Sequence, residues 1–79
     1  MKVELTSTTK IVELQIGIEG PTVPARVWEG VTAAGVPVFA FITRVAAERT
    51  QDLTEFERDL QEHAPPSPEA DHWPSRMIL

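Results

Sequence analysis

Apolar and polar residues alternate along KIVELQIGI (Lys10–Ile18). Val12, Leu14, Ile16 and Ile18 point one way, and Ile11, Glu13, Gln15 and Gly17 the other. Period 2 with β-branched side chains predicts a half-buried strand. Glu19-Gly20-Pro21 ends it with consecutive turn formers. TVPARVWEGVT (Thr22–Thr32) predicts a second strand. There Val23, Ala25, Val27 and Val31 share a face, with Glu29 the odd member, while Arg26, Trp28 and Thr32 share the other. Pro24 cannot donate to a ladder and belongs at the strand's start or at an edge position. Ala33-Ala34-Gly35 fits a three-residue hairpin loop, a type I turn closed by a left-handed glycine bulge.

VPVFAFITRV (Val36–Val45) predicts the third strand. Val36, Val38, Ala40 and Ile42 lie on one face, with Pro37, Phe39, Phe41 and Val45 on the other. Apolar residues on both faces mark a strand covered on both sides, so this is the segment expected to be most buried. A helix follows over Asp52–His63, with Asp52 and Glu55 forming a capping box and Thr50 a rival N-cap. Leu53, Phe56 and Leu60 fall within about 60° on its wheel, a narrow apolar stripe for the sheet. APPSP (Ala64–Pro68) stops the helix.

The expected fold is therefore α+β: a three-stranded antiparallel meander, one C-terminal helix packed on a face, and an extended apolar tail. At 79 residues it makes a single domain, with a core over 3–63, a Pro-rich linker over 64–70 and a tail over 71–79. A helix on one face leaves Phe39, Phe41, Val45 and Trp28 in need of cover. Trp73, Met77, Ile78 and Leu79 are the first candidates for that lid, and a second copy of the chain the alternative. The lid reading favours a monomer over a homodimer.

Composition narrows the function classes. The chain has no cysteine, which removes disulfides, thiolate catalysis and Cys-based metal sites. MKVELTSTTK has no apolar leader core, and no run approaches the roughly 20 apolar residues that span a bilayer. A cytoplasmic protein with no membrane partner is expected. Net charge is −5, which argues against direct nucleic-acid binding through phosphate neutralisation. Direct binding would have to use Lys2, Lys10, Arg26 and Arg44 on the sheet. The acidity is concentrated: Glu48, Asp52, Glu55, Glu57, Asp59, Glu62, Glu69 and Asp71 outweigh Arg49 and Arg58 over residues 48–71. Such asymmetry points to a basic partner surface.

On the expected helix, Asp52, Glu55, Asp59 and Glu62 share a strip about 80° wide and roughly 15 Å long, opposite the apolar stripe. Their spacing of about 5–6 Å is close to the roughly 7 Å phosphate pitch estimated for a duplex strand. A row of carboxylates at that pitch can stand in for a nucleic-acid backbone. The plainer reading is the solvated outer face of an amphipathic helix, with Asp52 and Glu55 serving as cap and dipole partners. Glu57, Glu48, Glu69 and Asp71 extend the acidic field. Glu62-His63 and Asp71-His72 are sequence neighbours that do not face each other on a helix. His63 fits packing at the end of the stripe or complementing the helix dipole. No nucleophile, base and orienting group assemble, no metal-ligand spacing is present, and no cofactor or enzymatic activity is expected. Trp28 and Trp73 suit either interface anchoring or covering the sheet.

TSTTKIVEL (Thr6–Leu14), PARVWEG (Pro24–Gly30), FITRVA (Phe41–Ala46), FERDLQEH (Phe56–His63) and the closing RMIL resemble a group of small uncharacterised proteins of bacterial mobile genetic elements: plasmids, phages and integrative elements. Size, acidity and that context further resemble anti-CRISPR proteins of the DNA-mimic kind that act on type I complexes. That resemblance implies an inhibitor whose acidic helix blocks target DNA binding on a basic surface of a host protein, such as a CRISPR effector subunit. The competing expectation is a small accessory or regulatory protein that self-associates through the Trp28, Phe39 and Phe41 face and uses its acidic helix for solubility alone.

Overall fold

In the computed structural model, which describes residues 1–48 and 52–78, four strands form one sheet in the order β3-β2-β1-β4. β1 runs Val3–Gln15, β2 Thr22–Thr32, β3 Pro37–Ile42 and β4 Arg76–Ile78, with helices α1 at Thr54–Asp59 and α2 at Pro68–Asp71. The β1-β2-β3 part is the antiparallel meander that the alternation predicts. The fourth strand comes from the tail, which pairs parallel to β1 through Glu13↔Arg76, Leu14↔Met77 and Gln15↔Ile78. No helix among the described residues is long and apolar enough to cross a membrane.

The β2–β3 hairpin turns as its sequence predicts. Gly35 sits at φ +84°, and its amide donates to the Thr32 carbonyl at 2.9 Å, closing the turn before β3 starts. Thr32 N–H donates to the Val36 carbonyl at 2.9 Å, which sets the ladder's phase. Antiparallel pairs alternate between bonded and non-bonded, so the amides of Val38, Ala40 and Ile42 face β2. The same alternation aims the nitrogen of Pro24 away from β1. β3 pairing has already ended at Arg26↔Ile42 by that point, so no ladder bond is lost.

One face of the sheet holds the core. Val12, Leu14, Ala25 and Val27 are buried there with Ala70 of α2, and Val23, Phe39, Phe41, Trp73 and Met77 pack against them. Phe41 lies opposite Val27 and Phe39 opposite Glu29 in the register. Trp73 stands edge-on to both rings, at centroid distances of 5.7 Å from Phe39 and 5.2 Å from Phe41. Trp73 is thus the lid on the two phenylalanines, with Met77 beside the core, while Ile78 is exposed and Leu79 lies outside the described residues. The segment beyond residue 63 contributes to the core.

Several expectations are corrected. Trp28 lies opposite Ala40 and so occupies the face away from Phe39 and Phe41. β3 is an edge strand with no fully buried residue, and β1 and β2 supply the centre of the core instead. β1 begins at Val3, seven residues before the alternating stretch, and ends at Gln15, leaving Ile16 and Ile18 exposed. The expected linker over 64–70 contains the start of α2, whose first turn takes Pro68 with Ser67 as N-cap.

The expected helix over Asp52–His63 shrinks to Thr54–Asp59, with Leu53 as N-cap and no side-chain cap bond. Thr50 lies outside the described residues. Amide bonds of Gln61 to Arg58 and of Glu62 to Asp59 tighten the chain after Leu60. Ala64, held extended ahead of Pro65, then bonds β1: its amide donates to Ser7 and its carbonyl accepts from Thr9. The strand edge of β1 outcompetes continuation of the helix.

A bulge in β1 makes that crossing possible. Ser7 pairs with Trp28 and Ile11 with Arg26, so Thr8, Thr9 and Lys10 stand against Val27 alone. Thr8 is 1% exposed, and its hydroxyl donates to the Val27 carbonyl at 2.6 Å while accepting from Lys10 N–H at 3.2 Å. The Thr8 carbonyl accepts from the Arg26 guanidinium at 2.9 Å. With its backbone groups satisfied in this way, β1 can turn its outer edge to Ala64.

Candidate functional site

All eight acidic residues singled out in the sequence are exposed: Glu48, Asp52, Glu55, Glu57, Asp59, Glu62, Glu69 and Asp71. The structure does not seat them on one helix. α1 carries Glu55, Glu57 and Asp59; Asp52 precedes it and Glu62 follows it. Glu55 and Asp59 keep the i,i+4 relation that places two carboxylates on one strip. Asp52 is engaged locally, its Oδ1 accepting from Thr54 N–H at 3.0 Å. That bond holds its carboxyl below the ordinary 3.8. Glu69 and Asp71 belong to α2, whose Ala70 is packed on the core face. The region of α1, by contrast, lies over the opposite face, where Asp59, Leu60 and His63 border the same groove as Trp28 and Arg26. The acidic field is therefore divided between the two sides of the sheet.

Among the described residues, Asp71 is also the one carboxylate with a cation at ion-pair distance. Lys10 Nζ lies 3.8 Å from its Oδ1 and donates to its carbonyl at 3.1 Å, the only ion pair among the described residues. The carboxylates from Asp52 to Glu62 have no such partner there.

The groove beneath α1 has a volume of about 310 Å³. Apolar Ile11, Trp28 and Ile42 line it together with Arg26, Arg44 and His63. At one end, Ser7 fastens the exit of α1. Its hydroxyl donates to the Glu62 carbonyl at 3.1 Å and lies 2.9 Å from His63 Nδ1, an arrangement that suits a proton on that nitrogen. Ser7 is buried. Its hydroxyl proton is engaged by a backbone carbonyl, so the Ser7–His63 pair acts as a clasp. Sequence reasoning missed this role of His63, because its partner sits at the other end of the chain inside an all-polar run.

Glu29, the odd acidic residue on the core face of β2, is placed to receive the tail. Its carboxylate accepts from Ser67 N–H at 2.9 Å and from the Ser67 hydroxyl. The same hydroxyl accepts from Ala70 N–H at 3.1 Å, so one relay of bonds ties the sheet to the N-cap of α2. The position of Glu29 among valines was the available signal: a carboxylate on an apolar face needs donors.

The arrangement offers electrostatic attraction to a basic surface from the α1 side, together with a groove large enough to seat an apolar group. No protein-family model, curated protein or solved structure matches this chain.

Proposed function

We propose that this chain is a non-enzymatic interaction protein that inhibits a nucleic-acid-binding host complex by presenting carboxylates where the complex expects phosphates. The residues that carry this are Asp52, Glu55, Glu57, Asp59 and Glu62, with Glu48 beside them. The supporting observation is that these carboxylates are exposed and that none of them has an ion-pair partner among the described residues. Unpaired like charges in one short segment repel one another, and a basic surface relieves that repulsion. In keeping with the resemblance to proteins of mobile elements, the target is a DNA-binding subunit of a type I CRISPR effector, and the protein is an anti-CRISPR of the DNA-mimic kind. Glu69 and Asp71 are set apart from this surface, on the side of the sheet covered by α2. The self-association reading is less favoured, because Trp73 packs on Phe39 and Phe41 while Trp28 faces the other way.

The test is a binding assay against a purified type I effector with Glu55→Lys and Glu62→Lys combined. Both positions are exposed and neither side chain makes a hydrogen bond among the described residues, so the fold is kept. The double reversal is expected to abolish binding and the block of target DNA. Wild-type binding should weaken steeply as salt rises. Equal inhibition by wild type and the double variant would leave the strip as a solvated face.

A further inference from the structure

β3 is the one long strand of the sheet that has a neighbour on a single side among the described residues. The ladder phase set at Thr32 and Val36 aims the amides and carbonyls of Phe39 and Phe41, and the Pro37 carbonyl, at this open side. The strand reads PVFAFI. It carries no charge, and side chains on both faces are apolar. Natural edge strands are usually guarded by Lys, by Pro or by a bulge that keeps other chains away. Here Pro37 guards one end only. The opposite edge of the sheet is β4, three residues long and carrying Arg76, which is a poor template.

We infer that β3 pairs antiparallel with β3 of a second copy, about a two-fold axis at Ala40. The side chains select this occupant. A partner strand must offer apolar residues at both parities, and this strand offers them to itself. Antiparallel pairing requires outward-facing residues to meet outward-facing residues. With the axis at Ala40, Phe39 exchanges both backbone bonds with Phe41 of the second copy, and Phe41 does so with Phe39. Pro37 is asked for no amide in those central bonds, whereas an axis at Phe39 would place it opposite Phe41 and lose a donor on each side. Ala40 meets its symmetry mate as the close, non-bonded pair, with Cα atoms about 4.5 Å apart, where a small side chain fits. Val38 meets Ile42, and Phe39 meets Phe41, both favourable cross-strand combinations.

The pairing is isologous and consumes the open edge, so it stops at two copies. It yields one continuous sheet, β4-β1-β2-β3 joined to β3-β2-β1-β4, and leaves the Trp73 lids in place. The contact is distinct from any face-to-face association through Phe39 and Phe41, and it does not depend on the acidic surface or its target.

Ala40 provides the test because its side chain lies on the half-open Trp28 face, where a long side chain can reach water. Sedimentation velocity over a micromolar concentration series should show wild type passing from monomer to dimer. Ala40→Lys alone and Ala40→Glu alone should each stay monomeric with an unchanged circular dichroism spectrum, and an equimolar mixture of the two should recover the dimer. Amide exchange gives a second readout that needs no variant. Phe39 and Phe41 amides should gain at least tenfold protection at dimer concentrations, while those of Ala40 and Ile42, bonded to β2, stay protected throughout. A wild type that remains monomeric across the series overturns the inference. So does a dimer that survives in Ala40→Lys, and so does strong protection of the Phe39 and Phe41 amides in a monomer, which would show the chain covering its own edge.

Discussion

Glu29 holds Ser67 by both its amide, at 2.9 Å, and its hydroxyl. This couples the centre of the sheet to the segment that carries the Trp73 lid. Removing the carboxylate leaves the Ser67 amide without its acceptor and frees the hydroxyl that caps α2. Glu29→Ala is expected to cost about 1–3 kcal/mol, the range for an orphaned polar group. Glu29→Gln, which keeps one acceptor oxygen, should cost less. Urea denaturation followed by tryptophan fluorescence measures both. A Glu29→Ala midpoint equal to wild type would mean that the tail is held by Trp73 and Met77 alone.

Trp73 packs edge-on against Phe39 and Phe41 and shields the apolar surface of β3. Its indole N–H is buried without a partner among the described residues, so the side chain is favourable in area and unfavourable in polarity. Trp73→Ala is expected to cost about 3 kcal/mol, a large share of the stability a domain of this size has, and to expose a surface that binds hydrophobic dyes. Trp73→Phe removes the orphaned N–H and keeps an aromatic edge, so it should lose less than half as much. If the phenylalanine variant proves as unstable as the alanine one, the indole nitrogen has a partner after all.

Local periodicity made β1 and β2 legible, because Val12, Leu14, Ala25 and Val27 alternate and their own neighbours suffice to place them. Apolar Trp73 and Met77 announce a docked tail for a similar reason, since such side chains gain by burial wherever they lie, and both pack against the core. What stayed hidden depended on partners at the other end of the chain. The polar run at Thr6–Lys10 is strand because Thr6 and Ser7 pair with Glu29 and Trp28 of β2, and Ala64 bonds Ser7 and Thr9 on the other side. No local pattern contains those partners. α1 was read too long because the wheel has no knowledge of Ser7 drawing the Glu62 carbonyl away. Two apolar faces usually mean two covers, which is why β3 is expected to be the most buried segment. One of its faces is covered by Trp73, whereas the other borders an open groove. The acidic residues were legible as a charge excess; their division between α1 and α2 was not, since a composition count carries no direction.

Asp52 supplies the pH-dependent prediction. The bond from Thr54 N–H lowers its carboxyl in the folded chain below the ordinary 3.8 of the unfolded one. A depressed folded-state pKa contributes stability that is fully present above the unfolded value and lost as pH falls through the folded value. Asp52→Asn keeps an oxygen for Thr54 and removes this titration. Wild type should therefore exceed Asp52→Asn in stability at neutral pH, with the gap closing below pH 3.8 as the bonded carboxylate protonates. Paired thermal melts at a series of pH values isolate the effect, because the other carboxylates titrate equally in both proteins. A gap that stays constant from neutral to acid would assign the difference to something other than this bond.

The Thr8 hydroxyl decides whether the β1 bulge is held or merely tolerated. It fills the position that a ladder amide would take at the Val27 carbonyl, and it is fully enclosed. Thr8→Val conserves volume and deletes the hydroxyl, leaving the Val27 carbonyl without this donor and the Lys10 amide without an acceptor. The expected cost is about 1–3 kcal/mol. Thr8→Ser retains the hydroxyl and loses one methyl, so its cost should be near 1 kcal/mol. Because the bulge also presents Ser7 and Thr9 to Ala64, the valine variant should loosen the α1 exit as well as the sheet. Amide exchange at Thr9 and Ala64 reads that second effect directly. Faster exchange at both sites in Thr8→Val, and not in Thr8→Ser, would show that the hydroxyl keeps the edge of β1 open to the returning chain. Unchanged exchange in both variants would place the support for that crossing in the Arg26 contact with the Thr8 carbonyl instead.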